Sequence, residues 1–154
     1  MTSLVLVVDA ANVVGARPDG WWRDRAGAAR RLLDQLASLP GRPVTGADGE
    51  AVSVAAVAVV LEGAARGAGT TAASPQVRVL EAPGSGDDAV VELTRELLSS
   101  PAGAEVVVVT ADRGLRARLP VRCWGPGWLR ALLDDLAAGA DLRTPRSGRG
   151  ERGE

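Results

Sequence analysis

The apolar positions of this chain fall into two kinds of run. Residues 4–8, 52–61, 77–80, 106–109 and 121–124 are short, nearly unbroken stretches dominated by Val, Leu and Ala. Unalternated aliphatic runs of this length predict strands buried on both faces, as in a parallel sheet. Between them the spacing becomes helical. Ala29, Leu32, Leu33 and Leu36 recur at core spacing within residues 22–39, while Arg23, Arg30, Arg31 and Asp34 lie elsewhere on the wheel. Residues 89–98 and 128–138 repeat the helical pattern, the latter through Leu129, Leu132, Leu133 and Leu136. Shorter helical segments are expected after Asp9 and before Pro120. Pro40-Gly41 stops the first long helix, residues 41–50 read as a polar connection, and residues 63–75 read as a flexible loop.

Strands separated by helices predict a three-layer, Rossmann-like α/β fold with a mostly parallel sheet of about five strands. Residues 1–140 form one domain in this reading, and residues 141–154, rich in Arg and Gly, a disordered tail. The chain shows no internal repeat.

Composition narrows the chemistry. The 154 residues include no His, Lys, Tyr or Phe. Ser-His-Asp and Cys-His nucleophiles, histidine zinc sites, phosphate-loop lysines and tyrosine acid/base chemistry are therefore excluded. Cys123, the sole cysteine, lies among apolar residues and reads as a small buried hydrophobe. Any catalysis must rest on carboxylates, hydroxyls, Arg, backbone amides and a metal ion. Net charge is −1, so no bulk basic field favours tight duplex binding. All 18 basic residues are Arg, however, the better bidentate partner for phosphate. No apolar run is long enough for a membrane span, no basic leader precedes the first strand, and one cysteine makes a cytoplasmic location the expectation.

The acids then fall into a pattern. Asp9 ends the first predicted strand, and Asp112 lies just past the fourth. Asp87 and Asp88 open the helix that follows the third strand, with Glu92 one turn beyond Asp88. A helix N-terminus favours acidic residues as ordinary caps, and one Asp would satisfy that need. In open parallel sheets the working crevice lies at the carboxyl ends of the strands. A strand order of 3-2-1-4-5 would bring all these carboxylates to one small volume. Such a cluster calls for neutralisation, which a hard divalent cation supplies through oxygen ligands and substrate phosphate. The chemistry implied is metal-assisted phosphodiester hydrolysis.

Three segments carry a resemblance: residues 7–13 (VVDAANV), 86–92 (GDDAVVE) and 108–112 (VVTAD). In this order they resemble the PIN-like nucleases, and among those the NYN domains, over about residues 3–138. The resemblance implies a Mg²⁺- or Mn²⁺-dependent ribonuclease on a Rossmann-like sheet, with RNA, single-stranded or structured, as substrate. Carried over by position, Asp9, Asp87 or Asp88, and Asp112 would hold the metal, with Asp88 taken as the ligand of its pair. Asn12 would orient the first carboxylate or the scissile phosphate. The strand-end Asp is followed by Ala10-Ala11, where NYN domains commonly carry a Gly-aromatic pair. Two other functions stay open at this point. One is a non-catalytic RNA- or nucleotide-binding module of the same fold, and the other a phosphoesterase acting on small substrates. A homo-oligomeric state is also left open.

Further residues have two readings each. Arg17, Arg23 and Arg25 suit phosphate contacts near the first helix. Trp21 and Trp22 could stack bases, although Trp22 is expected to fill the core and Trp21 to staple the loop. Arg113 and Arg116 either grip substrate or pair with Asp112. Ser85, between Gly84 and Gly86, either cradles a phosphate or marks a turn. Glu62 ends the second strand on the same edge as Asp9 and is either an outer acid or a solvated strand end, the second being expected.

Overall fold

A computed structural model describes residues 1–63, 76–101 and 105–143. The expected loop over residues 64–75 and the expected tail over residues 144–154 lie outside these. The strands are β1 (Thr2–Asp9), β2 (Pro43–Thr45), β3 (Ala51–Leu61), β4 (Val77–Glu81), β5 (Glu105–Val109) and β6 (Cys123–Trp124). The helices are α1 (Ala10–Gly15), α2 (Arg25–Leu36), α3 (Gly86–Leu98), α4 (Arg113–Arg118) and α5 (Pro126–Ala137), with a 3₁₀ turn at Trp21–Arg23.

β1 lies between β3 and β5, parallel to both; β4 joins β3 and β6 joins β5, again in parallel. The five anticipated strands therefore stand in the expected order. β2 is an addition: it pairs antiparallel with the start of β3, on the edge that β4 occupies further along. Three residues flanked by Gly and opened by Pro are too short to show a strand period, so this strand was hidden in the polar connection.

Each face of the sheet carries its own core. On β1, Leu4, Leu6 and Val8 face α1, α2 and α5, while Val7 faces α3 and α4. On β3 the alternation is interrupted. Val52 and Val54 share a face with Val57, Val59 and Leu61, because the register against β1 slips by one residue after Leu4↔Val54. The extra residue resets the phase, so that both halves of the strand feed the same layer. β5 divides as Val107 and Val109 on one side and Val106 and Val108 on the other.

The packed unit runs past residue 140. Leu142 is 6% exposed, its carbonyl accepts from the Thr45 N–H, and the Thr45 hydroxyl donates to the Arg143 carbonyl. The chain after α5 thus docks on β2, correcting a tail expected to begin at residue 141. A single leucine in a polar stretch gives no periodic signal. Leu142→Ala is expected to cost about 2 kcal/mol, the lower end for a buried leucine because the site lies at the core's margin. A urea midpoint equal to wild type would show that the docking contributes nothing.

Candidate functional site

Asp9 is both the last residue of β1 and the N-cap of α1. A parallel strand running straight into a helix leaves its final side chain inside the sheet edge, and Asp9 is only 7% exposed. The Thr110 hydroxyl, fully buried, donates to Asp9 Oδ2 at 3.0 Å. Thr110 Oγ1 in turn accepts from the Asp112 N–H at 3.1 Å. One hydroxyl thus connects the acid that ends β1 with the acid that follows β5. Asn12 adds a second tie, its Oδ1 accepting from the Ala111 N–H at 2.8 Å. Asp112 caps α4, its Oδ1 accepting from the Leu115 N–H at 3.0 Å.

The Asp-Asp pair divides. Successive helical residues point about 100° apart, so only one can face the sheet edge. Asp87 is half-buried and feels the charges of Asp112 and Glu62. Asp88 turns outward, pairing with Arg118 at 2.9 Å with its own side chain 72% exposed. It lines a separate depression with Ser85 and Glu92. The member expected to join Asp9 and Asp112 was Asp88; the one electrostatically coupled to them is Asp87. Ser85 is the N-cap of α3, accepting from the Asp87 N–H at 3.2 Å.

Glu62, expected as a solvated strand end with an outer acid as the alternative, stands at the end of β3 beside these acids. It is half-buried rather than solvated, and its Oε2 accepts from the Gly86 N–H, fixing the start of α3 against the end of β3. A Cβ at Gly86 would stand 2.9 Å from Glu62 Cδ, so glycine permits this approach. The signal available in the sequence was a glycine at the first turn of a helix, meaningful only once an acid across from it is known.

Charge is the feature these residues share. Burial raises Asp9 from 3.8 to about 6; the Thr110 hydroxyl and the Asn12 backbone N–H oppose this, and the charges of Asp87 and Glu62 add to it. Burial also pushes Asp87 up, helped by Asp112 and Glu62 and opposed by Arg118. Among the described residues none of Asp9, Glu62, Asp87 and Asp112 is in an ion pair, whereas Asp48, Asp88, Glu96, Glu105, Asp134 and Asp141 all are. Among the described residues no group of three or more acids stands close enough together to hold a metal ion.

The arginines sort differently. Arg17 makes a two-pronged pair with Asp134 of α5, at 2.9 and 3.3 Å. Arg116 donates to the Cys123 carbonyl at 3.1 Å, and Arg113 is exposed beside Asp112. Neither pairs with Asp112. Arg23 lies over the Trp22 ring and Arg25 over the Trp21 ring, 5.8 and 5.5 Å from their centroids. The two tryptophans exchange their expected roles: Trp22 is 51% exposed and Trp21 packs on the core. A 3₁₀ turn, ended by Asp24 capping α2, sets their phase in place of the α-helix expected from residue 22. Cys123 is half-buried, and burial raises its thiol.

The fold is a Rossmann-like α/β sheet with acids gathered at its carboxyl edge. No protein-family model matches the chain, and no curated protein does. Among solved structures it is similar to a mutant of Rae1 (YacP) from Bacillus subtilis, at 17% identity and a TM-score of 0.64. The likeness covers 88% of this chain and 78% of that one, and it is a likeness of fold. No helix among the described residues is long and apolar enough to cross a membrane.

Proposed function

We propose that this protein is a metal-dependent ribonuclease that hydrolyses RNA phosphodiester bonds at the edge defined by Asp9, Asp87, Asp112 and Glu62. One observation carries the reading: Asp9, buried at the strand end, and Glu62, Asp87 and Asp112 beside it act on one another as like charges and form no ion pair among the described residues. Uncompensated like charge is costly, and an all-oxygen donor set suits Mg²⁺ or Mn²⁺. Such ions keep several waters and need only one or two carboxylates together with substrate phosphate, so a closed protein cage is not required. Asp9, Asp87 and Asp112 would hold the ion, which supplies charge stabilisation at the phosphate and a more acidic water. Thr110 and Asn12 are positioning residues that fix Asp9 and the Asp112 turn. Glu62 holds the start of α3, and with it Asp87, against the sheet. Arg113, exposed beside Asp112, is the cation best placed to meet an RNA phosphate.

The first test is cutting of a labelled single-stranded RNA with Mg²⁺, with Mn²⁺ and with chelator. Cleavage that requires the ion and sharpens as pH rises through about 6, where Asp9 loses its proton, is the expected result. Metal binding without cleavage of any RNA would favour a binding module; cleavage indifferent to chelator would overturn the metal assignment.

A further inference from the structure

A pocket of about 350 Å³ opens beside the acids, with Trp21, Arg25, Ala11, Val14, Glu62 and Gly84 in its wall. Its volume is at the small end of the roughly 300–1,000 Å³ typical of ligand clefts. We infer that this pocket takes a single unstacked base of the RNA strand, held on Trp21 and delivered next to the site of cleavage. The inference rests on the ribonuclease reading and adds where the substrate is gripped.

Three features converge on a flat, polar-edged ring. Trp21 is braced: it packs on the core, and Trp22 meets it edge-on at 5.9 Å with planes 87° apart. A braced indole is a low-entropy stacking platform, and every nucleobase has a π-face to offer it. Arg25 lies in the same wall and forms no ion pair among the described residues. Its guanidinium can extend the stack or meet a phosphate. Glu62 provides the polar edge: Oε2 is engaged by the Gly86 N–H, and Oε1 remains able to accept from a base N–H. The remaining wall residues are small or aliphatic, which leaves room for a ring.

Location selects a nucleic acid over other aromatic ligands. Glu62 belongs to the pocket wall and also acts electrostatically on Asp9 and Asp87. Ala10 and Ala11 follow Asp9 directly in α1. A base in the pocket therefore has its backbone at the acid edge, where the scissile phosphate belongs.

The test uses one single-stranded RNA in versions that each carry an abasic nucleotide at one position around the cleaved bond. Wild type is compared with Ala11→Leu, which fills the pocket from an exposed position on α1 and leaves the core untouched. Trp21→Ala is unsuitable alone, because Trp21 also packs on the core. One abasic position is expected to slow wild-type cutting about 10- to 100-fold, the span that loss of one stacked base produces. Ala11→Leu should slow the intact RNA similarly and be indifferent to that same abasic position, the non-additivity of a shared contact. Equal cutting of every abasic RNA, with Ala11→Leu matching wild type, overturns the pocket while leaving the nuclease intact. Absence of cutting by wild type overturns the ribonuclease reading instead. The pocket is then decided by binding of the same RNA carrying 2-aminopurine: quenching lost in Ala11→Leu upholds it, and quenching unchanged overturns it.

Discussion

At neutral pH and without divalent cations, Asp9→Asn is expected to unfold at a higher temperature than wild type. The sign follows from the raised carboxyl. In the folded protein Asp9 holds its proton up to about pH 6, against 3.8 as its ordinary value. Between those values the folded state binds more protons than the unfolded chain, so stability falls as pH rises through the interval. Above it the ionised side chain destabilises the fold by about 3 kcal/mol, at 1.36 kcal/mol per pKa unit. Asparagine keeps the shape and still accepts from Thr110, but carries no charge. For a chain of this size each kcal/mol moves the melting temperature by roughly 2–4 °C, giving a gain of up to about 10 °C. Mn²⁺ should then stabilise wild type and not the variant, because binding to the folded state alone raises its stability. The variant should also lose RNA cleavage. Equal melting temperatures without metal, or equal stabilisation by Mn²⁺, would sink the assignment of Asp9.

Asp87→Asn and Asp88→Asn should differ sharply although the residues are adjacent. Removing an outer-shell partner of a metal site typically costs 10- to 100-fold, so removing a ligand is expected to cost Asp87→Asn at least 100-fold in kcat/KM. Asp88→Asn breaks an exposed pair with Arg118 and should change stability by less than about 1 kcal/mol and cleavage by no more than a few-fold. Cleavage kinetics and Mn²⁺ titration calorimetry on both variants decide the matter. The reverse ranking would return the ligand role to Asp88 and imply that α3 turns when the ion binds.

This contrast also shows what the chain discloses in advance. The five parallel strands and their order were legible because strands covered on both faces leave unbroken aliphatic runs. Asp9 and Asp112 were legible because a polar residue closing such a run is conspicuous. Which of Asp87 and Asp88 turns toward that edge was not, since it depends on helix phase against a sheet edge some distance away in sequence. No pattern singled out Thr110, yet its hydroxyl joins two strand ends across a separation of 101 residues. Glu62 looked like a solvated end because its partner, the Gly86 N–H, is a backbone group that no side-chain pattern announces. Trp21 and Trp22 were exchanged because a 3₁₀ turn broke the period used to orient them.

The Thr110 junction has a consequence for folding. Asp9 and the hydroxyl that seats it are 101 residues apart, and pairing of β5 with β1 brings them together. Long-range parallel pairing comes late, because the loop must close before its contacts contribute. No N-terminal fragment, however well its early helices form, contains the seated acid together with Asp112. The acid edge is therefore complete only when the first strand is enclosed between β3 and β5.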